Sequence, residues 1–285
     1  MEKTLIGKNG YLFLNDNARE LDVHCNNVCL VKYPLDRYNK YLDKYYITVF
    51  PNKSIICKQY LPDNYDAKYR PGLLKYQEYF KDRLFDSYNI LKDFNEPYYK
   101  TDTHMNLNGS YQVYINFVKN INNLYNLDVP IKILKIECVQ NINLNDLNLG
   151  IGDLTRDTNK GTQVLENTLD NHYFSNDLIQ IYCQKNNNNN NIIFFDYNLV
   201  DKTNDINDHI INWPIISNHI LYKLNKDSIK KKVVIFYDSF LLSTIWLYLT
   251  MFEEVYLIKN IYDEALVDKI NPDFVFEFRV ERFLF

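Results

Sequence analysis

Ser239 is the residue of this sequence best placed to act as a nucleophile. It follows residues 233–236, four apolar and mostly β-branched residues that predict a buried strand. It precedes residues 240–252, which are apolar on every side and predict a buried helix too short to cross a bilayer. Ligands collect at the carboxyl ends of strands in open α/β sheets, and the N–H groups of a first helical turn point towards that edge. Acyl-transfer chemistry uses both features. The alternative is that Asp238 or Ser239 only caps the helix, which is an ordinary role for these residue types.

His104 is the candidate general base, because a carboxylate lies two residues before it. The segment Asp102-Thr103-His104 belongs to a polar loop that precedes a predicted helix at 109–124. On such a loop Asp102 can bind one ring nitrogen of the histidine while the other nitrogen faces outward, which fixes the tautomer that a general base requires. The alternative is that Asp102 or Asn106 caps the helix and that His104 has no chemical role.

The carboxy-terminal part of the chain predicts the sheet that would position Ser239. Strands alternate there with helices over short links, which predicts a parallel sheet with right-handed crossovers and helices on its faces. The predicted elements are strand 233–236, helix 240–252, strand 255–258, helix 262–270 and strand 274–278.

The remainder of the chain predicts further α/β units and one irregular region. The residue patterns predict helices at 34–46, 71–84 and 109–124, strands at 11–14, 47–50 and 131–139, and extended chain at 54–57 and 88–91. We expect one domain over residues 1–285, with an irregular insertion at about 155–230. Within it, strands at 178–183 and 192–197 would be joined by an Asn-rich, solvated loop at 185–191.

The composition excludes several classes of function. The 285 residues carry a net charge of −4 and no basic run, so nucleic acid is not an expected partner. The five cysteines are odd in number and lack paired CxxC spacing, which predicts reduced thiols, and no cluster completes a metal site. No bound cofactor is expected. Residues 1–14 lack the apolar core of a secretory signal, so the expected location is the cytoplasm.

Several motifs, in the order in which they occur, resemble those of the SGNH-hydrolase-like domain of the AlgX/AlgJ polysaccharide O-acetyltransferases. They are Gly7-x-x-Gly-Tyr-Leu-Phe-Leu14, Pro51-x-Lys53, Thr101-Asp-Thr-His104 with Asn106 and Gly109, Gly152-Asp-Leu154, Val233 to Phe240, and the ending Pro272 to Leu284. The resemblance implies a three-layer, flavodoxin-like α/β fold with a central, mostly parallel sheet. It also implies that Ser239 is the nucleophile and that Asp102 and His104 supply the acid and base. Two features of this chain depart from the family. Met105 stands where an aromatic residue is usual, and no signal peptide or membrane anchor is seen, although family members usually act outside the cytoplasm.

The activity implied by this resemblance is serine-dependent O-acyl transfer, in particular O-acetyl transfer, to a sugar or polysaccharide hydroxyl through an acyl-enzyme. The acyl donor would be acetyl-CoA or another acetyl carrier, including a membrane acetyl-donor protein. Gly152 is a candidate oxyanion donor, and the candidates for shaping the pocket are Asp153, Asp238, Glu281 and Arg282. Strand-end salt bridging explains Glu281 and Arg282 at least as well. Two alternatives stay open: an acetylesterase that uses the same three residues with water as acceptor, and a catalytically silent carbohydrate-binding protein.

Overall fold

The structure is a computed structural model that describes residues 4–15, 20–28, 34–132, 135–139, 153–154, 171–175, 183–185, 191–193, 220–224 and 228–284. Its strands are β1 Thr4–Ile6, β2 Leu12–Leu14, β3 Tyr45–Phe50, β4 Leu84–Asp86, β5 Lys135–Val139, β6 Asn171–Ser175, β7 Cys183–Lys185, β8 Asn191–Ile193, β9 Ile220–Leu224, β10 Ile229–Tyr237, β11 Phe252–Ile258 and β12 Phe274–Val280. Its α-helices are α1 Leu21–Asn26, α2 Lys53–Ile56, α3 Pro71–Phe80, α4 Tyr88–Leu91, α5 Leu107–Tyr125, α6 Ile245–Leu249 and α7 Glu264–Ile270. Short 3₁₀ helices cover Leu35–Tyr41, Lys58–Tyr60, Lys81–Arg83, Ser239–Thr244 and Glu281–Phe283.

Six of the described strands form the central sheet, in the order β4-β3-β12-β10-β11-β9. Neighbouring strands are parallel from β4 to β11, and β9 pairs antiparallel with β11 at one edge. Because side chains alternate along a strand, Val233 and Ile235 of β10 enter one apolar layer while Val234 and Phe236 enter the other. The predicted α/β fold with a central, mostly parallel sheet is confirmed.

Helices cover both faces of this sheet and produce three layers. On one face α5 and α6 pack together, and the rings of Phe117 and Tyr248 lie 5.5 Å apart between their centroids. On the other face α3 and α7 pack around Tyr38, which is 1% exposed. Most of the largest fully buried side chains are tyrosines, so much of the aromatic content fills these two layers. Among the described residues, no helix has the length and apolar composition that a membrane span needs.

The segment after Ser239 differs from the long helix predicted for 240–252. A 3₁₀ helix covers Ser239–Thr244, α6 is confined to Ile245–Leu249, and β11 already begins at Phe252. A buried helix and a buried strand both have apolar residues on every face, so an uninterrupted apolar run does not mark the boundary between them.

Two segments predicted to be extended are helical. Residues 53–56 form α2 and residues 88–91 form α4. Their isoleucine and tyrosine residues favour strands in isolation, and tertiary contacts override this preference. The N–H of Ser54 in α2, for example, donates to the carboxylate of Glu20 at 3.1 Å, and the hydroxyl of Ser87, which precedes α4, donates to the carbonyl of Val49 at 2.9 Å.

The predicted helices 34–46 and 71–84 are both too long. The first is a 3₁₀ helix that ends at Tyr41, and β3 begins at Tyr45. The second ends at Phe80, because Lys81 adopts a positive φ of 52°, a conformation that no helix continues.

The hairpins of the chain pair antiparallel. β1 pairs with β2 across a turn in which Gly10 has a positive φ of 81°, a conformation that glycine adopts readily. β7 pairs with β8, close to the predicted strands 178–183 and 192–197. The other residues of the Asn-rich loop, and most of the predicted insertion, lie outside the described residues. Cys25 and Cys57 are free thiols, and the side chains of the other cysteines lie outside the described residues too.

Candidate active site

Ser239 lies at the carboxyl end of β10, where Asp238 shapes the turn. Asp238 has extended dihedral angles and is the N-cap of the 3₁₀ helix. Its Oδ1 accepts the N–H of Phe240 at 2.9 Å, and its Oδ2 accepts the N–H of Val280 at 2.7 Å. Burial raises the pKa of this carboxyl group, while the charge of Arg279 and the two N–H donors act against the shift. The buried Asp238 carboxylate therefore links the Ser239 turn to the end of β12 by hydrogen bonds.

The loop before α5 carries Asp102 and His104. The cap of α5 is Asn106, whose Oδ1 accepts the N–H of Gly109 at 2.9 Å. Asp102 does not cap this helix, and its Oδ1 instead accepts the backbone N–H of His104 at 2.9 Å and contacts His104 Nδ1 at 2.6 Å. Of the two residues considered as caps from the sequence, Asn106 caps the helix, whereas Asp102 pairs with His104.

The structure brings His104 and Ser239 together although they lie 135 positions apart. His104 Nε2 lies 2.8 Å from Ser239 Oγ. Because Nδ1 faces the carboxylate, the proton belongs on Nδ1 and the lone pair of Nε2 faces the hydroxyl. The imidazole ring also packs on Phe240 at a centroid distance of 4.8 Å, which holds its plane. A base oriented in this way can remove the proton of Ser239.

The Asp102 carboxylate is kept ionised by its surroundings. Burial raises its pKa, but the side-chain hydrogen bond to His104, the charge of His104 and the N–H groups of His104 and Asp153 outweigh burial. The pKa consequently lies well below the usual range for an aspartate. The N–H of Asp153 donates to Asp102 Oδ2 at 3.1 Å, so both oxygens of the carboxylate are hydrogen-bonded.

A buried lysine lies beneath the same loop. The Nζ of Lys53 donates to the carbonyl oxygens of Leu12 at 2.7 Å, Lys100 at 2.7 Å and Asp102 at 3.0 Å. Lys53 is 1% exposed, and burial lowers its pKa to about 8. The sequence analysis assigned Lys53 no role, although its position in the Pro51-x-Lys53 motif, one of those shared with the resembled family, could have marked it as a residue of the site.

Arg282 is a buried charged residue at this site, with 6% of its surface exposed. Its guanidinium carbon lies 5.0 Å from the centroid of the Phe240 ring. Its Nη1 donates to Asn52 Oδ1 at 3.0 Å and to Glu20 Oε2 at 3.3 Å, so the salt-bridge interpretation describes its observed contacts. Nothing in the local sequence indicated that Glu20 and Asn52 would lie next to the site.

Asp153 is the remaining predicted residue that the structure places at the site, whereas Gly152 lies outside the described residues. Its Oδ2 lies 3.6 Å from His104 Nδ1. Asp102, His104 and Asp153 together present three ligand atoms within 4.8 Å of one another, as a metal site would. Hydrogen bonds to Thr103, His104 and Ser239 already account for this arrangement.

No protein-family model matches the sequence, and no curated protein sequence matches it. Solved structures do match its fold. Bacillus cereus PatB1 with a sulfonyl adduct gives a TM-score of 0.62 at 12% identity, over 100% of this chain and 97% of that chain. The chain therefore shares its α/β fold with PatB1. A DHHW family protein from Eubacterium siraeum gives a TM-score of 0.55 at 13% identity, over 98% and 93% of the two chains. The O-acetyltransferase domain of Pseudomonas putida AlgJ gives 0.50 at 12% identity, over 100% and 92%. At these identities the likeness concerns the fold alone.

Proposed function

We propose that this protein is a serine-dependent O-acetyltransferase that modifies a sugar or glycan hydroxyl through an acyl-enzyme. The observation that carries the proposal is the hydrogen-bonded series from Asp102 through His104 to Ser239, with distances of 2.6 Å and 2.8 Å. These are the contacts that a nucleophile, its general base and an orienting carboxylate require. The fold shared with the AlgJ O-acetyltransferase domain supports acetyl as the transferred group.

In the first half-reaction Ser239 Oγ attacks the carbonyl carbon of the acyl donor. His104 Nε2 takes the hydroxyl proton, and the ionised Asp102 stabilises the imidazolium that forms. When the tetrahedral intermediate collapses, the bond to the leaving group breaks and His104 returns the proton to that group. The acetyl group is then held on Ser239 as an ester.

In the second half-reaction the acceptor hydroxyl attacks the ester carbonyl while His104 Nε2 accepts its proton. Collapse of this second intermediate breaks the bond to Ser239 Oγ, which recovers its proton from His104. The products are an acetylated sugar and the free enzyme. An acetylesterase would follow the same steps with water in place of the sugar.

Oxyanion stabilisation is assigned to the backbone N–H of Ser239. The first N–H groups of a helical turn have no partner within the turn, and Ser239 is the first residue of its 3₁₀ helix. Losing one such donor typically costs about 3 kcal/mol of transition-state stabilisation. The proposed acyl donor is acetyl-CoA or another acetyl carrier, such as a membrane acetyl-donor protein. The proposed acceptor is a polysaccharide. Both are inferred from the family resemblance.

The first prediction tests the nucleophile. Ser239→Ala should lower release of nitrophenol from p-nitrophenyl acetate by at least about a thousandfold, because serine, histidine and aspartate act as a unit. His104→Ala should cost as much, the double variant little more, and Asp102→Asn somewhat less. A sulfonyl fluoride should modify the wild-type protein at Ser239, as peptide mass mapping would show.

Ser243→Ala is the matched control, since Ser243 belongs to the same 3₁₀ helix and its hydroxyl bonds Ser110 at 2.8 Å instead of the histidine. It should keep wild-type activity. If Ser239→Ala melts normally and remains active, the nucleophile lies elsewhere and the proposal is wrong. Incubation with a panel of oligosaccharides then shows whether the acceptor is a sugar hydroxyl or water, because a transferase yields acetylated sugar and an esterase yields only acetate.

A further inference from the structure

Asp153 has a set of contacts that the mechanism above does not use. Its Oδ1 accepts the backbone N–H of Thr103 at 2.8 Å, and its Oδ2 accepts the hydroxyl of Thr103 at 2.6 Å. Its own N–H donates to Asp102 Oδ2 at 3.1 Å. Both hydrogen-bond donors of Thr103, the residue between Asp102 and His104, are thereby bound to one carboxylate.

These contacts restrict the conformation of the aspartate–histidine loop. Thr103 is 3% exposed, so its two donors need acceptors within the protein, and Asp153 provides both. The Asp102 carboxylate is held at Oδ1 by His104 and at Oδ2 by Asp153, which prevents rotation of the carboxylate plane. The segment that carries Asp153 is itself fixed, because the carbonyl of Leu154 accepts the hydroxyl of Thr4 at 2.9 Å.

Charged groups of both signs surround the aspartate–histidine loop. Asp102 and Asp153 both face the imidazole, with Asp153 Oδ2 3.6 Å from His104 Nδ1. Two positive groups contact the same loop: Lys53, which donates to the carbonyl of Asp102 at 3.0 Å, and Arg282, whose Nη2 lies 3.5 Å from Thr103 Oγ1. Asp153 therefore adds a second negative charge near the nitrogen that carries the proton throughout the reaction.

We propose that Asp153 is a positioning residue that acts through Thr103 and Asp102 to hold His104 in the orientation that reaches Ser239. This inference rests on the proposed function, since it assigns Asp153 to the same serine–histidine site. Asp153 would touch neither the acyl donor nor the sugar. It should therefore change the rate of the chemical step and leave substrate binding nearly unchanged.

The test is a double-mutant cycle on p-nitrophenyl acetate hydrolysis. Asp153→Ala should lower kcat by about 10- to 100-fold and change KM by less than about threefold, because a small misplacement of a base costs this much in rate. Thr103→Val, which removes the hydroxyl and keeps the backbone N–H, should lower kcat by about tenfold. The double variant should be no slower than Asp153→Ala alone, since both substitutions remove the same contact.

A conservative variant separates positioning from folding. Asp153→Asn keeps the acceptor for the Thr103 N–H and the backbone donor to Asp102, so its kcat should lie within about fivefold of the wild type. The rate of Ser239 sulfonylation by a sulfonyl fluoride should fall in parallel with kcat, because it needs the oriented histidine and no acceptor. Asp63→Ala is the control, since the Asp63 side chain is 94% exposed, and it should leave kcat unchanged.

Three results would overturn the inference: a kcat for Asp153→Ala within twofold of the wild type, an effect confined to KM, or additive losses in the double variant. A change in KM alone would identify Asp153 as a substrate contact. These results differ from failure of the proposed function, in which Ser239→Ala itself keeps its activity.

Discussion

At the scale of single residues, the site is supported by a buried polar chain behind Arg282. Asn52 accepts from Arg282 at its Oδ1, so its Nδ2 must donate to His24 Nε2, which lies 2.7 Å away. His24 Nδ1 can then donate to the carbonyl of Tyr69 at 2.6 Å. The chain is satisfied only when His24 is neutral, which makes this histidine a source of pH sensitivity.

We expect His24 to destabilise the protein in acid. Burial lowers its pKa from 6.5 to about 4, the nearby arginines add to the effect, and the bond to Tyr69 opposes it. Between these two pH values the unfolded chain binds more protons, so the free energy of unfolding falls as the pH falls. The contribution is complete above pH 6.5 and is lost progressively towards pH 4.

Glu281 has the opposite effect on the free energy of unfolding. Burial raises its pKa from 4.5 to about 7, so between these pH values the folded chain binds more protons and the free energy of unfolding rises as the pH falls. The two effects are separated by comparing His24→Gln with the wild type in urea denaturation at several pH values. The stability advantage of the wild type should shrink by up to about 3 kcal/mol between pH 7 and pH 4. Parallel pH profiles would show that His24 is not the group that titrates.

At the scale of elements, the Ser239 turn depends on β10 and β12 ending side by side. Asp238 spans the two strands, because its carboxylate accepts N–H groups from the turn after β10 and from the last residue of β12. The orientation of Ser239 is therefore set by the register of two strands and by one buried side chain.

Asp238→Ala should leave the N–H groups of Phe240 and Val280 without their acceptor. Each buried, unpaired donor costs about 1–3 kcal/mol, so we expect the free energy of unfolding to fall by about 2–6 kcal/mol and kcat to fall as well. Asp238→Asn keeps one acceptor oxygen and should lose less. Denaturant unfolding beside the ester assay measures both effects, and an Ala variant as stable as the wild type would contradict this role.

At the scale of the whole molecule, Lys53 joins parts of the chain that are far apart in sequence. Its ammonium group binds carbonyl oxygens of β2 and of the loop that carries Asp102, while Lys53 itself begins α2 after the end of β3. The cost of burying this charge is visible in its pKa of about 8, and the three carbonyl oxygens offset that cost.

Lys53→Met should destabilise the fold by at least about 2 kcal/mol and reduce kcat, because three carbonyl oxygens lose their donor next to Asp102. The pH dependence provides a second signature. Between pH 8 and 10.5 the unfolded chain binds more protons at Lys53, so the wild type should gain stability relative to the variant as the pH rises. Lys58→Met, at an exposed position on the next turn, should behave like the wild type; equal losses in both variants would refute the special role of Lys53.

The sequence by itself determined the α/β class and the candidates for chemistry. Alternating apolar elements predicted the parallel strands around β10, because burial on both faces of a sheet is visible in local residue patterns. Asp102, His104 and Ser239 were identified from short local motifs. The helical state of 53–56 and 88–91 was missed, since local preference favoured an extended chain and contacts with distant residues decided otherwise.

Only the tertiary structure decided which of these residues meet. The 2.8 Å contact between His104 and Ser239 depends on the sheet order, which places the end of β10 next to the loop before α5 across 135 positions of sequence. Lys53, Thr103 and Asn52 gained their contacts in the same way. Local preferences act over a few residues, whereas a hydrogen bond between two loops is set by how the strands between them are ordered.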